Sequence, residues 1–120
     1  MNTLQQRLVT FSVRVFETLQ WIKRDPLLGD IANQLLRSAT SAGANYSEAQ
    51  AASSAKDFHN KIRISLKEMK ETQYWISFLQ ASKVEIKDVK SLFRESDELI
   101  RILSTICKKT DPANKPNPEK

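Results

Sequence analysis

One cysteine, one histidine and two glycines in 120 residues exclude a good deal at the outset. The lone thiol, Cys107, can form no disulfide within the chain and no thiolate metal cluster. It falls on the apolar side of the last predicted helix, where a thiol serves as a buried structural residue. The lone imidazole, His59, cannot supply the paired Glu-x-x-His motifs of a di-iron bundle, and Lys56 stands where such a motif needs Glu. His59 is expected at the surface or near a helix start. Serine is abundant, but no histidine accompanies it in a plausible triad. Three of the four prolines lie in the last nine residues, so the body has few strong breakers. β-branched alternation is absent. The start, MNTLQQRLVTF, lacks the basic, apolar and small-residue regions of a secretory leader. The longest uncharged run, Thr72 to Ser82, is too short and too polar to span a bilayer. Together these absences point to a cytoplasmic domain with no cofactor, no metal and no membrane partner.

What is present is charge and helical periodicity. Lys and Arg total 19 against 14 Asp and Glu, a net charge of +5. That balance favours acidic partners such as nucleic acid or an anionic surface. It is also compatible with an ordinary solvated bundle. Hydrophobic residues at 40% suffice for one modest core in one domain.

Apolar spacing predicts four helices. The first runs from about Thr3 to Lys23, with Leu4, Leu8, Phe11, Val15, Leu19 and Ile22 in one stripe and Val9 and Phe16 broadening it. Asp25-Pro26 marks a break and a capped restart. The second helix runs to about Ala51, with Leu28, Ile31, Leu35, Ala39, Ala42, Tyr46 and Ala49 facing inward. Its run Ser38 to Ala44 holds only small residues, which let two helix axes approach closely; such a contact accounts for Gly43. Ser54 with Asp57 resembles a capping box. The third helix runs to about Ala81, with a seam of Phe58, Ile62, Ser65, Met69, Thr72, Ile76 and Leu79. Tyr74, Trp75 and Phe78 give this helix apolar surface beyond one core face, which points to either a broad core or an oligomer interface, and they are assigned to the latter. Lys83 to Lys87 connects to the fourth helix, about Asp88 to Lys109. Its seam is Val89, Phe93, Ser96, Ile100, Leu103 and Cys107, widened by Leu92, Leu99 and Ile106. Residues 110–120 read as a disordered, Pro-rich polar tail. Short connections make residues 1–109 an all-α, antiparallel up-down-up-down four-helix bundle. A three-helix body with a mobile fourth helix is the alternative.

Three basic rows are candidate contacts to a nucleic-acid backbone. Arg7 and Arg14 lie on the first helix, Lys56, Arg63, Lys67 and Lys70 on the third, and Lys87, Arg94, Arg101 and Lys108 on the fourth. Glu95, Asp97 and Glu98 interrupt the last row. No zinc-finger, ribonucleoprotein or KH signature is present. Glu48, Glu68 and Glu71 could converge as a cation site or an acid and base. Basic neighbours that would pair with them lie close in sequence, and no nucleophile is evident. Antiparallel register about Ser53 sets Arg37 within a turn of Glu68 and Glu71, so an Arg37–Glu68 or Arg37–Glu71 ion pair is expected. Such a pair fixes register more than it stabilises. No catalytic residue is assigned.

The combination Arg37-Ser38-Ala39-Thr40-Ser41, Ala44-Asn45-Tyr46, Glu48-Ala49, Asp57-Phe58, Lys61-Ile62, Ile64-Ser65-Leu66-Lys67-Glu68, Glu71-Thr72 and Tyr74-Trp75 resembles a bacterial four-helix-bundle family. This is the 23S rRNA intervening-sequence protein, or S23-type, family. The resemblance covers about residues 4–109 and includes Glu98-Leu99 and Ile102-Leu103. It implies a bundle assembled into a ring, a homopentamer. It also implies kinship with the accessory variability determinant of diversity-generating retroelements, a pentamer that works with a reverse transcriptase and binds nucleic acid. The functional expectation is a non-enzymatic oligomer binding RNA or DNA. The alternative is an assembly or protein-interaction module without nucleic acid.

Overall fold

The computed structural model describes residues 3–22 and 25–114. Those residues form α1 (Thr3–Leu19), α2 (Pro26–Ala49), α3 (Ala55–Ala81) and α4 (Val89–Thr110), followed by a 3-10 turn at Pro112–Asn114. Among the described residues there is no strand. The four helices alternate in direction and pack as a rod of 59 × 25 × 23 Å. No described helix is long and apolar enough to cross a membrane.

The local signals act as their chemistry requires. Asp25 caps α2 by accepting from the Leu27 and Leu28 amides, and Pro26 opens the helix, where its missing N–H costs nothing. Ser54 accepts from the Asp57 amide at 3.0 Å. Asp57 returns a bond at 3.2 Å to the amide of Ser53 rather than of Ser54, so the capping box is displaced by one residue. The α3–α4 connection turns through left-handed backbone at Lys83 and Asp88, and Asp88 makes no side-chain cap.

The core runs the length of the rod. Leu8, Phe11, Val15 and Leu19 come from α1, Leu35, Ala39, Ala42 and Tyr46 from α2, Ile62, Met69, Ile76 and Leu79 from α3, and Leu92, Leu99 and Leu103 from α4. Several expectations shift. On α4 the buried line is Leu92, Ser96, Leu99 and Leu103, while Val89, Phe93, Ile100 and Cys107 are half-buried at its edge. Both lines have helical spacing, and only the arrival of the partner helices decides between them. Val9 and Phe16 do not broaden the core; they are exposed together with Val13. His59 is buried, not at the surface, because the end of α4 closes over it: its Nδ1 lies 3.0 Å from Thr110 Oγ1. Of the expected tail, Thr110 belongs to α4 and Pro112–Asn114 to the 3-10 turn, and 115–120 lie outside the described residues. The end of the first predicted helix at Lys23 also lies outside them; α1 stops at Leu19.

Hydroxyls set the spacing of α2 and α3. Ser65 Oγ donates to the Ala42 carbonyl at 2.7 Å, and Thr72 Oγ1 lies 2.8 Å from Ser38 Oγ, all within the core. With Ala39 and Ala42 opposite, the two helices touch without bulky side chains between them. Gly43 is not part of this contact. It faces α1, where an added Cβ would meet Leu8 Cβ at 3.7 Å, an ordinary contact. Close approach therefore does not demand glycine there.

Candidate functional site

Two arginine clasps and two apolar surfaces are candidate features for function. The first clasp joins α2 to α3. Arg37 hydrogen-bonds Glu71 and also donates to Glu68 Oε2 at 3.2 Å. Glu71 accepts in addition from the Trp75 indole Nε1 at 3.1 Å. Burial alone would push the Glu71 carboxyl up, but the bonds from Trp75 and Arg37 and the charges of Arg37 and Lys67 hold it below the usual range. Arg37 is raised above its ordinary value, chiefly by the Glu71 bond, against the opposing effect of burial.

The second clasp joins α1 to α4, the two ends of the sequence. Arg7 grips Glu95 with a two-pronged bond, Nη2 to Oε1 at 2.7 Å and Nε to Oε2 at 3.2 Å, and reaches Glu98 at 3.3 Å. The Glu95 bond is the main cause of a raised Arg7 pKa; burial opposes it. Two turns along, Arg14 Nη2 donates to Ser91 Oγ at 2.7 Å. Both clasps use one arginine against two carboxylates one helical turn apart.

Arg7 and Arg14 are thus engaged in contacts to α4, half-buried at the edge of the bundle. On α4, Arg101 pairs with Asp97 at 3.0 Å. The other basic candidates, Arg63, Lys67, Lys70, Lys87, Arg94 and Lys108, are exposed, and none has a carboxylate at ion-pair distance among the described residues. The period of α3 sets Lys56, Arg63, Lys67, Lys70 and Tyr74 on one outer face, so the basic row runs directly into the aromatic surface.

The carboxylates do not converge. Glu48 pairs with Lys61 at 3.3 Å, and Glu48 and Arg37 are eleven residues apart on α2, about 16 Å along the axis. Among the described residues no three His, Cys, Asp or Glu side chains are grouped to hold a metal.

The two surfaces are apolar. On α3, Tyr74 and Trp75 stack edge to face at 5.1 Å, and Trp75 and Phe78 at 6.2 Å. Trp75 is half-buried and held by Glu71, whereas Tyr74 is 61% and Phe78 42% exposed, forming a ridge. Between α1 and α2 runs a groove of about 450 Å³ lined by Val9, Val13, Phe16, Leu36, Thr40 and Gly43 among others. Reasoning from the sequence missed this groove. Its signal was present, since Val9, Val13 and Phe16 are spaced by four and three, a second helical stripe beside the core stripe.

The sequence profile of the 23S rRNA-intervening sequence proteins matches residues 2–105. The chain belongs to that family. A crystal structure of a family member of unknown function, described as from the S23 ribosomal protein family of Bacteroides thetaiotaomicron, superposes with a TM-score of 0.81 at 33% identity. The match covers 88% of this chain and 99% of that one. No curated protein matches the chain. Membership accounts for the four-helix architecture; of the stretch from Arg37 to Trp75, Arg37, Ser38, Ser65, Glu68, Glu71 and Thr72 meet across the α2–α3 seam.

Proposed function

We propose that the chain is a non-enzymatic assembly protein of the cytoplasm, a ring of five copies as the family resemblance implies, which holds RNA or DNA by its phosphates. One observation carries this reading. After the internal pairs are taken away, the exposed cations left over among the described residues include Arg63, Lys67 and Lys70 on the outer face of α3, Arg94 and Lys108 on α4, and Lys87 in the turn before α4. Rows of unpaired cations on rigid helices suit a regularly charged polymer, and repetition around a ring multiplies a weak single-copy contact. No base-reading element accompanies them, so binding is expected to be indifferent to sequence.

Fluorescence anisotropy with a labelled single-stranded RNA and a duplex DNA, over a salt series, tests the reading. The logarithm of the affinity should fall linearly with the logarithm of salt. Changing Arg94 and Lys108 together to Gln should lower the slope by about two while leaving the fold intact. Absence of binding at low salt would favour the alternative, an assembly module whose charge serves solubility.

A further inference from the structure

The groove and the ridge lie on different sides of one bundle, and each is apolar, exposed and free of charge. The geometry points to a second copy of this chain as the occupant of the groove, with its Tyr74–Phe78 ridge seated between α1 and α2. This rests on the assembly reading above and names the two faces that meet.

Four features of the structure support the pairing. First, no charged residue lines the groove, and the ridge lies in the uncharged run Thr72–Ser82, in a chain of which 28% is charged. Charge depletion with aromatic enrichment is the composition of an interface core. Second, the shapes are opposite: a concave groove and projecting rings. Third, the heights agree. Ser12 bonds the Ala39 carbonyl, so Phe16 stands level with Leu35 and Leu36; Thr72 meets Ser38, so Leu36 stands level with Tyr74. Copies related by rotation alone therefore bring ridge to groove without sliding, as a closed ring requires. Fourth, at the Glu48 end the charges bordering the two surfaces are opposite. Glu48 flanks the groove beyond Ser47 and is more than half exposed despite Lys61, and the basic extension of the ridge, Arg63 and Lys67, arrives at its level. A two-fold contact of ridge on ridge or groove on groove would cover one surface and leave the other bare. Ridge in groove covers both and propagates. It places the α3 row beside the seam between copies and leaves the α4 row open.

Val13→Asp disables the groove and Phe78→Asp the ridge. Both positions are exposed, so far-UV circular dichroism should match the wild type; Val9→Asp and Tyr74→Asp form a second pair should either variant unfold. Native mass spectrometry is the readout. Wild type should assemble, each variant alone should be monomeric, and an equal mixture should give a one-to-one dimer and nothing larger, because only one good ridge and one good groove meet. A variant that assembles alone to wild-type size, or a mixture that stays monomeric, overturns the pairing while the wild-type assembly stands. A monomeric wild type overturns the assembly reading as well.

Discussion

The two arginine clasps have the same chemistry and different surroundings. Arg37 sits over a seam already fixed from within by Ser65, Thr72 and Ser38, whose hydroxyls bond across or along the helices inside the core. Arg7 sits over a seam where the polar bonds seen between α1 and α4 among the described residues are made by Arg7 and Arg14, near the surface. One clasp therefore lies on a joint with polar fastenings of its own inside the core, and the other supplies polar fastening to a joint otherwise packed with apolar side chains. The difference teaches that an ion pair's role depends on what else spans the same gap, not on its own distances.

The strongest way to break this comparison is to attack the inner fastening of the α2–α3 seam. Ser65→Leu puts three carbons in place of the hydroxyl oxygen, in a contact built on Ala42, and removes the bond to the Ala42 carbonyl. It should destabilise the protein by about 3 kcal/mol in urea unfolding. Next comes Arg7→Met, which keeps the stem and removes the charge. A loss of about 1 kcal/mol is expected, with faster hydrogen exchange confined to α1 and α4. Arg37→Met should cost less, about 0.5 kcal/mol, since Arg37 is half exposed and the hydroxyls remain. Helix content should be unchanged in both. If Arg37→Met proves the more damaging of the two, the contrast between the seams is wrong.

The smallest effect is in acid. Glu71 has its carboxyl pKa below the unfolded value, so its contribution is full above the ordinary glutamate range and is lost as pH falls through the lowered value. Between about pH 6 and about pH 3 the wild type should therefore lose more stability than Arg37→Met does, as measured by urea unfolding at each pH. Equal losses would mean that the Arg37–Glu71 bond is not coupled to folding.

The comparison also marks what the sequence could reveal. Helices 2 and 3 are joined by a turn of a few residues, so counting outward from Ser53 was enough to bring Arg37 to Glu68 and Glu71. Nothing comparable relates the first helix to the fourth. Arg7 and Glu95 are 88 residues apart, with no short turn to set their register, and Arg7 could be read only as one of a basic row. The same gap hid His59, whose burial depends on where α4 ends. Element number, type and most boundaries were legible because caps and periodicity are local. The width of each buried arc was not. Val9 and Phe16 looked like the margin of a core stripe, and only the placement of α2 against α1 turns them into a groove. The ridge was legible as surplus aromatic surface on α3; its complement was not.

The most direct measurement is the native mass of the wild-type chain with a short single-stranded RNA at low salt. The expected result is a whole multiple of the 13.7 kDa chain carrying bound RNA, with the RNA lost and the multiple kept as salt is raised. A 13.7 kDa monomer with no RNA attached would contradict both the assembly and the binding.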